Sequence, residues 1–346
     1  MDNFKVVKMK IFHILPELQI GGVERHVIDL ANEQAKRGHS VTVISAGGQM
    51  ETQFVSDVEK VHMPVHLKNP FTALVCAFQI AKIARSRGVD IIHAHSRVPA
   101  LIAMLASRKA KIPYVVSAHC VFGTKTHWIY LPYRKANVVI CVSKAVQDGM
   151  KNCFYDNTKV IVNGFAQPKE YWSCENWNAK KLLFVGRLSN VKGLQDVLQA
   201  IPTDLDWTMD VVGDGPQRAE WEKIAKERGI SERITFHGYS DKVEHFLANA
   251  SCLLFPSYTE GMPLTLAQAI LVGTPVLASN IQPVVELKGS SEGLLPPGDI
   301  NAWKKALTEL LNGKMPQKFP KSSVPTLENM VDEIEKTYVD CIKAKI

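Results

Sequence analysis

The sequence predicts an α/β protein of two domains, each a doubly wound parallel sheet covered by helices on both faces. Apolar runs of strand length alternate with longer segments of helical period as far as about residue 308, and several of these runs are apolar throughout. The pattern also restarts near the middle of the chain. A length of 346 residues with 46% hydrophobic residues suffices for two domains with separate cores.

The first half carries six predicted strands and one long amphipathic helix. That helix, residues 23–37, places Val27, Leu30 and Ala31 on one stripe and stops before Gly38. The predicted strands of this half are 11–15, 41–45, 90–94, 114–118, 138–142 and 160–162.

The second half repeats the alternation with five more predicted strands. They are 182–185, 207–212, 234–237, 253–255 and 276–278. The polar and aromatic segment 166–180 interrupts the pattern between the two sets, so we predict an interdomain linker there and domains at 1–165 and 166–326. A second interruption, 313–326, precedes a last helix, and residues 327–346 are therefore a candidate to pack back on the first domain.

Composition, charge and cysteine spacing limit the partners and the cellular location that we expect. The formal net charge of +7 favours anionic partners, but acids are interleaved with the basic residues and no nucleic-acid module is present. We therefore expect a phosphate-containing ligand or an anionic lipid surface, and no nucleic acid. The seven cysteines form no CxxC pair, which indicates reduced thiols of a cytoplasmic protein. No apolar stretch approaches the roughly 20 residues that span a bilayer, so we expect any membrane contact to be peripheral, on the inner face.

The first candidate motif is Gly21-Gly22, which follows the first strand and opens the first long helix. A backbone without Cβ atoms can approach an anion at a helix N-terminus. A tight turn between strand and helix needs glycine for steric reasons alone, so both interpretations remain open at this point.

The second motif is the segment 186–193, which places Arg187 and Lys192 after a strand of the second domain. A leaving nucleoside diphosphate gains negative charge as its glycosidic bond breaks, so cations aimed at it stabilise the transition state. Because a cation near a helix N-terminus opposes the helix dipole, a purely structural role explains Lys192 poorly.

The third motif is the segment 257–269, in which Glu260 and Gly261 follow a strand and Gln268 lies in the next helix. A carboxylate accepts hydrogen bonds from sugar hydroxyls, and an amide bonds to ribose hydroxyls. The alternative is that Glu260 only caps the start of the helix.

These motifs together resemble those of retaining glycosyltransferases of the GT-B fold, in particular glycosyltransferase family 4, the glycosyl transferases of group 1. The resemblance covers nearly the whole chain, in the segments 21–24, 93–96, 117–120, 139–143, 162–165, 184–193, 211–216, 255–263 and 273–279. It implies two Rossmann-like domains that face each other across a cleft, with the acceptor on the first and the nucleotide sugar on the second. It also implies roles in bacterial polysaccharide, lipopolysaccharide or glycolipid synthesis.

The resemblance assigns roles to individual positions. Arg187 and Lys192 match the pair that holds the donor diphosphate, and Gly22 matches the loop glycine that contacts donor phosphate or sugar. His119 matches an active-site histidine near the transferred sugar, although a histidine at a strand end is often only a hydrogen-bonded edge residue. The other positions that it places against the donor are Gly21, Gly213, Gly261, Met262, Pro263 and Leu264.

One position departs from the family pattern. Glu260 matches the first acid of a two-glutamate motif, whereas the second acid is replaced by Gln268, where ribose binding is expected. This replacement could alter the nucleotide preference of the enzyme, or it could mark an enzyme that has lost its activity; the sequence leaves both interpretations open. The catalytic candidates are therefore His119 and Glu260. We expect the co-substrate to be a UDP- or GDP-linked sugar. We expect neither a cofactor nor a metal ion.

The segment 121–135 mixes aromatic and basic side chains. We assign Lys125, Trp128 and Arg134 to the acceptor or membrane side, while a packed helix with a basic outer face explains the pattern equally well. Further basic residues expected at this surface are Arg108, Lys109 and Lys111.

Other functions remain to be weighed. A sugar-nucleotide epimerase or hydrolase, and a non-catalytic nucleotide-sugar-binding subunit, are compatible with the same architecture. A dehydrogenase is disfavoured because no GxGxxG follows the first strand. The pair Asp204 and Asp206 has metal-binding spacing, but it precedes a strand, away from the carboxyl edge where ligands gather.

Overall fold

A computed structural model describes residues 8–121, 127–153, 157–174 and 177–344. The chain divides into two compact units. Unit 1 comprises Met1–Gly164 and Pro325–Ile346, and unit 2 comprises Phe165–Val324.

Unit 1 is built on a seven-stranded parallel sheet. Its strands are β1 (Lys10–Ile14), β2 (Ser40–Ser45), β3 (Val58–His62), β4 (Ile91–His95), β5 (Tyr114–Ala118), β6 (Val138–Cys141) and β7 (Thr158–Val160). They lie in the order β3-β2-β1-β4-β5-β6-β7. The strand β3 was not predicted from the sequence, because it is an edge strand in which only Val58 is buried and it carries no apolar run.

The helices of unit 1 cover this sheet. They are α1 (Gly22–Lys36), α2 (Pro70–Arg87), α3 (Arg97–Ala110), α4 (Leu131–Arg134) and α5 (Lys144–Gly149). The helix α2 begins where the Asn69 side chain accepts hydrogen bonds from the Phe71 and Thr72 amides. It ends at Gly88, whose φ of 64° lies in the left-handed region.

Unit 2 has a five-stranded parallel sheet. Its strands are β8 (Lys181–Val185), β9 (Thr208–Val212), β10 (Ile234–Gly238), β11 (Cys252–Phe255) and β12 (Val276–Ala278), in the order β10-β9-β8-β11-β12. The helices are α6 (Leu194–Ala200), α7 (Arg218–Glu227), α8 (Val243–Asn249), α9 (Leu264–Val272), α10 (Gln282–Lys288) and α11 (Ile300–Leu311). Its core holds three fully buried indoles, Trp207, Trp221 and Trp303.

The segment 166–180 that we predicted as a linker belongs to unit 2, where Trp177 packs against the core and Trp172 makes two hydrogen bonds. The Trp172 indole N–H donates to the Ala250 carbonyl at 2.8 Å, and the Trp172 amide donates to the Val272 carbonyl at 3.0 Å. A buried indole holds this stretch, which accounts for its aromatic composition.

The last helix, α12 (Leu327–Lys343), belongs to unit 1. It buries Val331 in a core cluster with β1 residues, and the Arg37 guanidinium donates to Asp332 at 2.6 Å and Glu335 at 3.1 Å. The Tyr338 hydroxyl lies 2.6 Å from His93 Nδ1 on β4.

Candidate active site

Each sheet has one place where the strand order reverses, between β1 and β4 in unit 1 and between β8 and β11 in unit 2. Ligands of doubly wound folds bind beyond the carboxyl ends of the strands at such a point. The predicted donor-binding and catalytic residues lie near these two places.

In unit 2, the loops after β8 and β11 are tied together. The Tyr258 amide donates to the Val191 carbonyl at 2.8 Å. Gly193 has a φ of +70°, and a Cβ on it would lie 2.1 Å from the Pro256 carbonyl oxygen. Only glycine permits this close approach of the two backbones.

An ion pair joins the two loops. Lys192 Nζ lies 2.6 Å from Glu260 Oε1, and the Ser257 hydroxyl donates to the same oxygen at 2.7 Å. The helix α9 has no side-chain hydrogen bond at its N-cap, so Glu260 does not cap it. Glu260 instead directs its carboxylate toward the cation of the neighbouring loop.

A second set of hydrogen bonds joins the loop after β11 to α6, and these contacts were not predicted from the sequence. The Tyr258 hydroxyl lies 2.8 Å from both carboxylate oxygens of Asp196 and accepts a hydrogen bond from Gln195 at 2.9 Å. Burial and the neighbouring carboxylate raise the pKa of Tyr258 to about 12. The sequence indicated this contact only through Asp196, an acidic residue in the first turn of the helix α6 that follows Gly193.

Arg187 is the other predicted donor-binding cation. Its side chain is exposed and, within the described part of the chain, forms no ion pair. Gly213 lies beside this loop with a φ of +132°, and a Cβ on it would lie 2.0 Å from the Gly186 carbonyl oxygen. Gly213 therefore has a packing reason to be glycine.

The predicted residues around the start of α9 differ in accessibility. The side chains of Met262 and Pro263 are buried, so only their backbone could face a ligand. Leu264 and Gln268 are half-buried and lie one helical turn apart on one face of α9. The side chain of Gln268 makes no hydrogen bond to the residues that the structure describes.

In unit 1, five histidines lie at or near the carboxyl edge of the sheet. They are His13 on β1, His26 on α1, His93 and His95 on β4, and His119 directly after β5. The pairing of β1 with β4 sets His13 opposite His93, and the pairing of β4 with β5 sets His95 opposite Ser117. We call this set the histidine cluster.

A chain of contacts runs through this cluster to the predicted catalytic His119. Gln34 Oε1 lies 2.8 Å from His13 Nε2, and His13 Nδ1 lies 3.2 Å from His95 Nε2. His95 Nδ1 in turn lies 3.2 Å from His119 Nε2. His119 is half-buried, whereas His13 and His95 are fully buried.

The remaining members differ in their partners. His93 contacts the Tyr338 hydroxyl through Nδ1 at 2.6 Å and the Ser117 hydroxyl through Nε2 at 2.8 Å. His26 Nε2 is buried and has no hydrogen-bond partner among the described residues.

The imidazoles of the cluster are neutral at pH 7. Burial lowers the pKa of His13 and of His119 to about 4. Burial, followed by mutual repulsion, lowers the pKa of His26, His93 and His95 well below the ordinary value.

The two glycines of the first motif lie beside this cluster, at the start of α1. Gly21 has an extended backbone, and a Cβ on it would lie 2.2 Å from the Glu24 carboxylate. Gly22 is exposed, and the first turn of α1 has no side-chain cap. Burial raises the pKa of the Glu24 carboxyl.

The three residues predicted on the acceptor or membrane side differ in where the structure places them. Lys125 lies outside the described residues, and Trp128 lies in a 3-10 turn, His127–Tyr130. Arg134 turns inward, because its Nε donates to the Cys153 carbonyl at 2.8 Å, and the adjacent Tyr133 is fully buried. The short helix around Arg134 packs on unit 1, as in the alternative given above, but Arg134 does not lie on a basic outer face.

The Asp204–Asp206 pair lies before β9, at the opposite edge of the sheet from the ion pair. Asp206 is exposed and pairs with Lys180 at 2.7 Å. Asp206 thus forms a surface ion pair, and the two aspartates do not belong to the candidate active site.

Two doubly wound sheets, with an ion-paired, glycine-lined loop pair in one unit and a histidine cluster in the other, define a GT-B fold of the nucleotide-sugar-dependent glycosyltransferases. The chain belongs to glycosyltransferase family 4. Residues 20–166 match the family described as Glycosyltransferase Family 4, and residues 174–323 match Glycosyl transferases group 1.

Relatives of known sequence support this assignment. An uncharacterized glycosyltransferase of Haemophilus influenzae is 26% identical over 87% of this chain and 90% of its own length. The N-acetyl-alpha-D-glucosaminyl L-malate synthase of Bacillus anthracis is 24% identical over 94% of this chain and 95% of its own.

Solved structures support the fold. A glycosyltransferase from Rickettsia africae superposes with a TM-score of 0.81 at 20% identity, over 97% of this chain and 99% of its own. HepE from Anabaena, solved with UDP and glucose, gives a TM-score of 0.74 at 20% identity, over 97% and 98% of the two chains. Among the residues that the structure describes, no helix is long and apolar enough to cross a membrane.

Proposed function

We propose that the chain transfers a sugar, with retention of configuration, from a UDP- or GDP-linked donor to a glycan or lipid-linked acceptor of bacterial surface polysaccharide, lipopolysaccharide or glycolipid synthesis. The observation that carries the proposal is the Lys192–Glu260 pair, with the exposed Arg187 beside it at the carboxyl edge of the unit 2 sheet. The UDP and glucose bound by HepE support a uridine donor.

In this proposal, the donor diphosphate competes with Glu260 for the Lys192 ammonium. The bond between the sugar C1 and the phosphate oxygen breaks, and C1 bonds to the acceptor oxygen on the same face. The acceptor proton passes to the leaving phosphate. Because charge on that phosphate grows as the bond breaks, Lys192 and Arg187 stabilise the transition state more than the ground state.

The other groups have complementary roles. Glu260, once its contact with Lys192 weakens, accepts hydrogen bonds from hydroxyls of the donor sugar. His119 presents a neutral imidazole to a sugar hydroxyl and carries no charge that would compete for the diphosphate. The Gln268 amide bonds to the ribose, at a cost of about 1 kcal/mol relative to a carboxylate.

The first experiment measures release of nucleoside diphosphate from each common UDP-, GDP- and ADP-sugar with EDTA present. It is run with and without an extract of membrane lipid and oligosaccharide. We expect one donor to give extract-stimulated release, lost in Glu260→Ala. Donor binding without release on any extract would favour the non-catalytic subunit, and release without transfer would favour the hydrolase.

A surface of unit 1 supports a lipid-linked acceptor. Four large apolar side chains, Phe71, Leu74, Val75 and Phe78, follow a helical stripe on α2 and are 40–74% exposed. We call this stripe the α2 apolar face. An exposed apolar stripe on a helix marks an interaction site.

The charges around the α2 apolar face favour an anionic bilayer as its partner. Lys82 and Arg85 continue the stripe, and Lys109 of α3 places its Nζ 4.2 Å from the Phe78 ring centroid. Neither α2 nor α3 contains an acidic residue. Basic residues beside exposed aromatic ones suit insertion at the surface of an anionic membrane.

Vesicle co-sedimentation tests this surface with the double variant Phe71→Ser/Phe78→Ser. We expect binding to phosphatidylglycerol-containing vesicles to fall at least about tenfold, because burial of each phenylalanine contributes about 1.5–3 kcal/mol. Tyr239→Ser, which removes a 46% exposed aromatic ring of unit 2, is the control. Unchanged sedimentation of the double variant would contradict binding of the α2 apolar face to a bilayer. Concentration-dependent dimers of the parent chain would instead indicate that this face binds a second copy of the chain.

A further inference from the structure

The histidine cluster holds more imidazoles than contact with a sugar hydroxyl requires. Two overlapping sets of three offer ligand atoms that all lie within 4.8 Å of one another. One set is His13, His93 and His95, and the other is His26, His95 and His119.

The first set is occupied by hydrogen bonds. Both ring nitrogens of His93 already contact hydroxyl groups, those of Tyr338 and Ser117. A metal ion on His93 would have to displace one of these buried contacts. The loss would leave a buried hydroxyl group without its partner, which costs free energy.

The second set contains an unpartnered ligand atom. His26 Nε2 is buried with no hydrogen bond to any described residue, and His95 Nδ1 and His119 Nε2 lie 3.2 Å apart. Two nitrogens on one tetrahedral zinc ion, each at 2.0–2.1 Å, are separated by about 3.3 Å. The second set is therefore close to ligand geometry, and an ion would satisfy the orphaned nitrogen of His26.

Neighbouring groups also orient this set. With His13 Nε2–H donating to Gln34 Oε1 at 2.8 Å, His13 Nδ1 is left to accept from His95 Nε2–H at 3.2 Å. His95 then presents an unprotonated Nδ1 to the ion. Metal-bound histidines commonly donate their second N–H to such a partner, which fixes the ring and its tautomer.

We propose that His26, His95 and His119 form a binding site for one divalent transition-metal ion such as Zn²⁺, with the fourth position open on the accessible side of His119. Neutral imidazoles are the ligands that such ions prefer, and three of them with one open position is a common zinc arrangement. The ion is not needed for the transfer chemistry, for which Lys192 and Arg187 supply the positive charge, but its site shares His119 with that chemistry.

Occupancy of this site inhibits transfer, a consequence that rests on the proposed function of His119. An ion held by His119 Nε2 fixes the imidazole ring and lies directly beside it, so the ring can no longer turn toward a hydroxyl of the donor sugar. We therefore expect Zn²⁺ to inhibit nucleoside diphosphate release, and EDTA to restore it.

The binding test uses the untagged full chain, stripped with EDTA and then titrated with Co²⁺. We expect one equivalent to give the visible absorption of tetrahedral Co²⁺, and Zn²⁺ to displace it. His26→Ala and His119→Ala should each weaken binding at least about 100-fold, since each removes one of three ligands. His245→Ala, which removes an exposed histidine of unit 2, is the control and should not change the titration.

The outcomes separate this site from the proposed function. Absence of a tetrahedral spectrum, or an unchanged titration in both folded variants, overturns the metal site. Binding without inhibition of an active enzyme overturns the inhibitory role alone. If one variant fails to fold by circular dichroism, the other decides, because His26 and His119 lie on different elements. An inactive chain that still binds Co²⁺ overturns the proposed function and leaves the metal site standing.

Discussion

The points of strand reversal in the two units share a topology but differ in electrostatics. In unit 1, β1 and β4 carry buried neutral imidazoles that are bonded to one another. In unit 2, the loops after β8 and β11 carry the charged Lys192–Glu260 pair and an exposed arginine. The same backbone plan thus provides uncharged hydrogen-bonding groups in one unit and charged groups in the other, and the residues at the carboxyl ends of the strands set that difference.

The largest effect that this comparison predicts is acid unfolding confined to unit 1. An unfolded histidine takes up a proton near pH 6.5, whereas His13 in the folded chain does so only at about 4. The stability that the neutral form of His13 contributes is therefore complete above pH 6.5, is lost as the pH drops toward 4, and changes no further below it. For His13 alone the loss is about 3 kcal/mol, and His26, His93 and His95 act in the same direction.

Urea unfolding of EDTA-treated protein between pH 7.5 and 4.5 checks this prediction. Five of the six tryptophans lie in unit 2, so their fluorescence reports that unit, while circular dichroism reports both. We expect the dichroism midpoint to fall with pH well before the fluorescence midpoint. Parallel shifts of both signals would show that the histidine cluster does not set the acid stability of unit 1.

The next largest effect concerns the charge in unit 2. Glu260→Ala removes both the partner of Lys192 and the acceptor for sugar hydroxyls, so we expect kcat to fall by about 100- to 1000-fold. Glu260→Gln keeps an acceptor for the Ser257 hydroxyl but loses the charge, and should be intermediate. Steady-state release of nucleoside diphosphate measures both. Turnover near that of the parent chain in Glu260→Ala would remove this residue from the site.

A smaller loss is expected for Arg187, which forms no ion pair with the residues that the structure describes. Arg187→Ala should lower kcat/KM by about 10- to 100-fold, because a charge-assisted hydrogen bond contributes about 1.5–3 kcal/mol. Lys180→Ala is the control, since Lys180 is an exposed cation of the same unit that forms a surface ion pair with Asp206. An equal loss in both variants would indicate a general effect of net charge.

The sequence predicted most of the sheet framework, because doubly covered strands are apolar throughout. The edge strand β3 was missed because VEKVH buries one residue and has no apolar run. Arg187, Lys192 and Glu260 could be proposed from the sequence because glycine turns after strands mark the carboxyl edge, and the structure places them at that edge. The contact of Tyr258 with Asp196 could not be predicted, since it joins residues far apart in sequence that meet only when β8 and β11 become neighbours.

Burial patterns account for the other differences. Arg134 was predicted at an outer surface because a sequence does not show which way a short helix turns, and the carbonyl of Cys153 draws it inward. Three of the five histidines lie in the segments 93–96 and 117–120 that carry the family resemblance, whereas His13 and His26 do not. Only the parallel register of β1, β4 and β5 brings His13, His95 and His119 into one chain of contacts.

The smallest expected effect is a gain of affinity in unit 2. Gln268→Glu should tighten binding of the nucleoside diphosphate by about fivefold, because a carboxylate accepts from two ribose hydroxyls more strongly than an amide, by about 1 kcal/mol. Calorimetric titration with UDP and GDP measures this gain, and Gln199→Glu, on an exposed position of α6, controls for the added charge. A gain for one nucleotide alone would show that position 268 also selects the base. Weaker binding in Gln268→Glu would mean that the amide donates to the ligand, and that the replacement of glutamate by glutamine at this position serves recognition.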